Sequence, residues 1–268
     1  MTLFSLSTAT LPIILLTDFG SGDPYVGQMK GVLARQAPGA LVIDLFHDIS
    51  PYHIKSGAWL LERCWPHMPR PAVWLCVVDP GVGSGRRGLV VEAGGSFFVG
   101  PDNGLFTHPL SLAGAKALVL DEMTGGENGV SPTFHGRDLF APVAARLAAG
   151  TASKGLGSPV FSPPPVTFAD PGWRGGFNEW EAEVILVDRY GNLVTTLPGT
   201  EVSGRQAQGE IDGRPCGALV TTFASVAPGA CAMVVGGFGT VEVVVNQGSA
   251  REMFSAGLGT KLRVRAAF

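Results

Sequence analysis

The hydrophobic period of this chain changes once, near residue 156, and that change limits the fold more than any single motif. Before it, short strand-like runs alternate with stretches of helical period: ILLT, a helix from Pro24, LVIDLF, a helix through SGAWLLERCW, AVWLCVV, and later a helix through APVAARLAAG. Runs that are apolar throughout belong in a sheet covered on both faces, and intervening helices supply the covers. The alternation therefore predicts an α/β domain with a largely parallel central sheet over residues 13–156, opening with the strand Ile13–Thr17. Residues 157–176 include GSPVFSPPPVTFADPGW, whose prolines continue neither kind of element, and read as a linker. From 177 to 268, the runs EAEVILVDRYGNLVTTL, GALVTTF, CAMVVGG, TVEVVVN and KLRVRAAF are separated by glycine-rich turns, which predicts a smaller antiparallel β domain. The opening residues 1–12 lack a basic start and run into TDFG rather than a small-residue cleavage site, so they read as a loose tail and not as a secretion signal.

Hydrophobic residues make up 46% of the 268 and charged residues only 15%, which predicts much buried surface and a further interface between subunits. The formal net charge is -3 and no basic run occurs, so the partner expected is a small molecule and not nucleic acid. No uninterrupted apolar segment is long enough to cross a membrane. Cys64, Cys76, Cys216 and Cys231 stand far apart, as free thiols of a reducing cytoplasm do, and form no zinc or redox spacing.

In parallel α/β sheets ligands sit beyond the carboxyl ends of the strands. Asp18 after ILLT, Asp48 after LVIDLF and Asp79 after AVWLCVV meet that condition. Asp23 precedes Pro24 and has two readings open, an N-cap and a ligand. For Asp48, His47 and His53, loop solvation and turn bonding are the simpler expectation, and FHDISPYH matches no metal-ligand spacing. In TFHGRD, capping of the following helix accounts for Asp138, whereas His135 is either packed or placed to meet a neighbouring strand end. Asp188 with Tyr190-Gly191-Asn192 makes a turn that needs no ligand. Taken alone, VVDPGVGSGRRG is a glycine-rich loop suited to an anion.

The ordered succession TDFGSGDPYVGQMKG, HDISPYHIKSGA, VVDPGVGSGRRG, VGPDNGLF, TFHGRDLFAPVAARLA, DRYGNLVTTLP and VNQGSA resembles the S-adenosyl-L-methionine (SAM) hydrolase family, also called SAM hydroxide adenosyltransferases, relatives of fluorinase and chlorinase. The resemblance implies an α/β domain joined to a β-barrel-like domain, and a homotrimer with active sites between subunits. It implies cleavage of SAM to adenosine and L-methionine by water or hydroxide attacking the ribose C5′, with no cofactor.

The sulfonium leaves as a neutral thioether, so no general acid is required and the burden falls on aligning and deprotonating water. By motif, the family's catalytic Asp, Arg and His fall on Asp79, Arg86 and His135, with Arg87 as the alternative arginine. A guanidinium beside a carboxylate weakens it as a base but stabilises a hydroxide beside it. The resemblance further places Asp18 and Asp23 at the ribose and the Tyr52 ring against the nucleoside. Asp188 falls at the methionine ammonium, Tyr190 and Asn192 at adenine, and Glu242, Val245 and Asn246 on the strand offering groups to the substrate. Halogenating relatives carry Ser-Arg where this chain has Gly237-Phe238, so the methionine carboxylate must be held differently. They also lack an acid at the position of Asp79, because a carboxylate repels a halide. A halogenase, a non-catalytic SAM or adenosine sensor and a metal-dependent hydrolase are the rival readings.

Overall fold

The computed structural model describes residues 10–121, 129–160 and 164–267. The chain divides between Phe168 and Ala169 into two compact units. The first contains β1 (Ile13–Thr17), α1 (Tyr25–Gln36), β2 (Val42–Phe46), α2 (Ile54–Cys64), β3 (Val73–Val77), β4 (Gly88–Ala93), β5 (Ser96–Pro101), α3 (Thr107–Ser111), β6 (Lys116–Leu120), α4 (Ala141–Ala148) and β7 (Gly157–Pro159).

These seven strands form one sheet in the order β2-β1-β3-β5-β4-β6-β7. Pairing is parallel from β2 through β1 and β3 to β5, and antiparallel across β4, β6 and β7. The parallel part is the expected one. The antiparallel part arises because β4 and β5 form a hairpin about Gly94-Gly95, both at positive φ. Alternate residues of β1 and β3 face opposite covers. Ile13, Leu15, Val73, Leu75 and Val77 join Val26, Met29, Val32 and Leu33 of α1 and Val143, Ala144 and Leu147 of α4 in one core. On the other face Trp74 packs with Trp65 and Phe98. Coverage of both faces explains why IILLT is buried at every position.

Of the tail expected over 1–12, residues 1–9 lie outside the described residues. Residues 10–12 are not loose: the Leu11 N–H donates to Ala148 O at 2.9 Å, Leu11 packs on the core, and Pro12 O accepts from Val73 N–H. Within the proline-rich segment, β7 completes the first sheet. Residues 164–168 are fastened to the first unit, with Val166 N–H donating to Asp102 Oδ1 at 2.7 Å and Phe168 N–H to Thr107 Oγ1 at 2.9 Å.

The second unit contains β8 (Trp173–Gly176), β9 (Glu179–Val187), β10 (Leu193–Pro198), α5 (Gly199–Val202), β11 (Gln206–Ile211), β12 (Arg214–Ala218), β13 (Cys231–Val235), β14 (Thr240–Val245), α6 (Ala250–Phe254) and β15 (Lys261–Ala267). The strands follow one another as β12-β11-β15-β9-β10-β14-β13, all antiparallel, with β8 added on β9. The ends of this order approach each other: Leu219, just past β12, bridges Met233 of β13, and Val220 N–H donates to Met233 O at 2.8 Å. The result is a nearly closed barrel around Trp180, Leu193, Met233, Val243 and Leu262. On its outer face Lys261, Arg263 and Arg265 of β15 pair with Glu183, Glu181 and Glu179 of β9.

Candidate active site

The connections place β2 on one side of β1 and β3 on the other, so the chain reverses its winding at the carboxyl ends of β1 and β3. Helices diverge from such a point and leave a crevice. Asp18 immediately follows β1, and Asp79 lies two residues beyond the end of β3. Both line a cleft of about 560 Å³ together with Asp23, Tyr25, Asp48 and Tyr52.

Asp79 and Arg86 are joined by the turn that the sequence describes as Pro-Gly-Val-Gly. Val82 N–H donates to Asp79 O, and Ser84 donates through both N–H and Oγ–H to Gly81 O, closing two successive bends. Gly83 sits at φ +77°, and a Cβ there would lie 2.5 Å from Pro132 O, so the position demands glycine twice over. Arg86 returns to Asp79 with Nε donating to Oδ1 at 3.0 Å and Nη2 to Oδ2 at 2.5 Å. Both side chains are nearly buried, at 8% and 5% exposed. Nη2 also donates to His135 Nδ1 at 3.0 Å, and Nη1 to Arg87 O at 3.0 Å, while the guanidinium lies over the Phe140 ring. Because guanidinium nitrogens only donate, His135 Nδ1 is an acceptor and its proton in the neutral ring is on Nε2. The sequence-predicted trio is therefore one connected cluster.

His135 is positioned by the turn before α4. Asp138 accepts from Ser131 N–H at 3.1 Å and from Arg137 through two nitrogens, closing the TFHGRD loop. It does not cap the helix, as had been expected, because Gly136–Phe140 forms a π-type turn that runs directly into α4. The Arg137 contact holds the Asp138 carboxyl below its ordinary value, helped by Ser131 N–H and opposed by burial.

Asp18 accepts the Tyr52 N–H at 2.9 Å. Tyr52 has φ +68° and is 73% exposed, an unusual conformation for a bulky residue held by the carboxylate behind it. Burial pushes the Asp18 carboxyl up, and the Asp79 charge adds to this against the Tyr52 and Asp18 N–H groups. Asp23 is exposed on the cleft rim and caps nothing: Pro24 takes the N-cap position of α1 with helical dihedrals and no side-chain cap. The ligand reading of Asp23 is the one its place in the cleft leaves open. Asp48 accepts from Ser21 N–H at 3.0 Å, and His53 caps α2 by accepting from Ser56 N–H at 3.2 Å. Asp48 and His53 of FHDISPYH thus have separate protein partners. No group of three or more His, Cys, Asp or Glu among the described residues is arranged to hold a metal ion.

Arg87, the alternative arginine, is engaged elsewhere. Its Nε and Nη2 donate to Asp102 Oδ2, and Nη2 also reaches Pro164 O at 3.1 Å, so it fastens the proline-rich segment. Three residues of the cleft region went unread in sequence. Tyr25 lines the cleft, Phe134 meets both Phe19 and Tyr25 edge-on, and Asn103 donates to Val78 O at 2.8 Å beside Asp79. Tyr25 carried a signal, an aromatic directly after the strand-end loop, whereas Asn103 depends on a contact no local pattern records.

In the second unit the turn after β9 is built by Asp188. Its Oδ1 accepts from the N–H groups of Tyr190 and Asn192, each at 2.9 Å, and its Oδ2 from Asn192 Nδ2 at 2.8 Å. Gly191 has φ +81°, with Ser249 so close that any Cβ would collide with it. The turn presents Tyr190, 77% exposed, beside Asn192, Phe223, Val245, Gln247 and Gly248 around a concavity of about 470 Å³. Asn246 lies apart from this lining. Its N–H donates to Ala230 O, its O accepts from Gly229 N–H, and its side-chain amide donates to Val226 O. Glu242 is 6% exposed under Gly236, whose missing side chain leaves room for the carboxyl. Burial, with the Asp188 charge, raises the Glu242 carboxyl to about 7.

Models of the SAM hydroxide adenosyltransferase N-terminal and C-terminal domains match residues 13–157 and 182–263. The chain belongs to the SAM hydroxide adenosyltransferase family. It is 41% identical over 262 residues to the (R)-S-adenosyl-L-methionine hydrolase of Thermus thermophilus, covering 94% of this chain and 99% of that protein. A fluorinase of Actinoplanes is 26% identical, over 60% of this chain and 62% of its own. Among solved structures, an uncharacterised conserved protein from Thermotoga maritima superposes with a TM-score of 0.86 at 28% identity, covering 94% of this chain and 99% of that one. Family membership agrees with the two-part architecture.

Proposed function

We propose that the protein hydrolyses SAM to adenosine and L-methionine by attack of water or hydroxide at the ribose C5′. The observation that carries this reading is the Asp79–Arg86–His135 cluster, whose Asp79 lines the same cleft as Asp18. In this reading Asp18 and Asp23 grip the ribose hydroxyls, and the Tyr25 and Tyr52 rings flank the nucleoside and its sulfonium. Asp79 aligns water opposite the C5′–S bond through the lone pairs Arg86 leaves unused. His135 Nδ1 is turned to Arg86, so the proton passes to Asp79 and the Arg86 charge stabilises the developing hydroxide. The oxygen forms its bond to C5′, the C5′–S pair returns to sulfur, and methionine departs as a neutral thioether. No cofactor is needed, because the cation to be discharged belongs to the substrate.

Tyr190, Asn192 and Val245 form the adenine-facing surface in this reading, and Glu242, its carboxyl raised by burial to about 7, is in part protonated near neutrality and in that form donates to substrate. The Asp188 carboxylate acts through the turn it builds. Homotrimeric assembly with sites between subunits, and a cytoplasmic setting suggested by four free cysteines, complete the proposal. The named hydrolase relatives also make the R epimer at sulfur the substrate to test first.

Purified protein incubated with SAM in water labelled with heavy oxygen should release methionine and adenosine carrying the label at the 5′ hydroxyl. Formation of 5′-chloro-5′-deoxyadenosine in chloride would instead favour the halogenase reading. Adenosine binding without turnover would leave only the sensor. A sedimentation mass other than that of a trimer would remove the assembly from the proposal.

A further inference from the structure

The reaction leaves His47 and Asp44 without a task, yet they form an ordered chain beneath the Asp18 loop. Lys30 Nζ of α1 donates to Asp44 Oδ2 at 2.6 Å, and His47 Nε2 lies 3.0 Å from Asp44 Oδ1. His47 Nδ1 is 2.9 Å from Thr17 Oγ1, and Phe19 N–H donates to that same oxygen at 3.3 Å. Thr17 is fully buried, and the His47 side chain is 11% exposed.

The direction of each bond follows from the next. Burial works to raise the Asp44 carboxyl, but Lys30 and His47 outweigh it and hold Asp44 below its ordinary value, so it is an ionised acceptor. His47 Nε2 must then carry a proton, and in the neutral ring Nδ1 accepts. The Thr17 hydroxyl donates to Nδ1, which turns its lone pairs towards the Phe19 N–H. Asp18 lies between the two residues so fixed. A valine would fill the same buried space at the end of β1. A hydroxyl there is tolerable only with an acceptor, and His47 supplies it.

We propose that His47 is a positioning residue: acting through Thr17, it fixes the backbone on both sides of Asp18 and so aims that carboxylate at the ribose hydroxyls. The proposal deepens the hydrolase reading and rests on it for the identity of the ligand. The backbone bond from Gly20 N–H to His47 O, 2.8 Å, joins the two loops whatever side chain stands at 47, so the imidazole can be altered without separating them.

Two replacements divide its roles. In His47→Asn the amide oxygen sits where Nδ1 was and still accepts from Thr17. In His47→Gln the amide nitrogen reaches Asp44 in place of Nε2, but Thr17 loses its acceptor. Adenosine affinity by calorimetry, KM and kcat for SAM, melting temperature and Phe19 amide exchange are to be measured on both and on Thr17→Val. His47→Gln and Thr17→Val should each weaken adenosine binding and raise KM about tenfold, the worth of one hydrogen bond to a well-placed group, with kcat changed about twofold at most. Phe19 amide exchange should speed up in both, and His47→Asn should restore affinity and protection towards those of the unaltered protein. The proposal fails if His47→Gln binds adenosine normally, or if Asn and Gln lose affinity equally in step with melting temperature. Absence of SAM turnover in the unaltered protein would overturn the hydrolase reading, whereas Phe19 exchange tests the Thr17–His47 link without substrate.

Discussion

Arg86 meets Asp79 side-on, each carboxylate oxygen accepting from a different nitrogen of one guanidinium, while the same Nη2 also serves His135. One donor thereby fixes both a carboxylate and an imidazole. Arg86→Lys keeps the charge but has no fork with which to hold both partners. Turnover of SAM by Arg86→Lys should fall about a hundredfold, and Arg86→Ala should in addition lose about 3 kcal/mol of stability by leaving a nearly buried carboxylate unpaired. Steady-state kinetics and denaturant unfolding check both; normal turnover by the lysine variant would remove the fork from the mechanism.

Asp79→Asn retains size and one acceptor oxygen but cannot take a proton. Hydrolysis should drop by about 10² or more. The Asp79 charge also contributes to raising the Asp18 carboxyl. Removing it should lower the pH at which adenosine affinity changes with Asp18 titration, and calorimetric titration across the acid range reads that shift. If affinity for adenosine falls as far as turnover does, Asp79 is a binding residue and not the group that activates water.

The strand ends were legible because a parallel α/β pattern fixes where ligands collect, and Asp18 and Asp79 fell there by position alone. The spacing from Asp79 favoured Arg86 over Arg87, but what holds Arg87 was not legible, since its partners Asp102 and Pro164 lie far along the chain. Asp23 stayed ambiguous in sequence because an acid before proline often caps, whereas here Pro24 itself occupies the cap. The antiparallel half of the first sheet had a readable signal in Gly94-Gly95 between two apolar runs. Barrel closure at Leu219 and Met233 had none, because it joins strands remote in order and depends on the curvature of the whole sheet.

Tyr52 holds a left-handed conformation in the Ser50–His53 turn, where His53 N–H donates to Ser50 O. Glycine is the usual residue at such a position, and a side chain there costs about 1 kcal/mol. Tyr52→Gly should relieve that strain while adding a similar unfolded-state entropy, leaving stability within about 1 kcal/mol of the original. Affinity for adenosine should nevertheless fall about tenfold through loss of a stacking ring. Equal affinity in calorimetry would mean that the strain serves only to present the Tyr52 N–H to Asp18.

Glu242 gives the fold a pH dependence of definite sign. Burial and the Asp188 charge raise its carboxyl to about 7 from the ordinary value of 4.5, so between those values the folded protein binds the proton more tightly than the unfolded chain. The resulting stabilisation is complete below the unfolded value and is lost as pH rises through the folded one. Glu242→Gln stays uncharged throughout and escapes that loss. Relative to the unaltered protein, it should therefore be more stable at about pH 8 than at about pH 5, as measured by paired denaturant curves. A stability difference between the two proteins that does not change over this range would mean that Glu242 is as ionised in the folded state as in the unfolded one, and that it meets the substrate as a carboxylate.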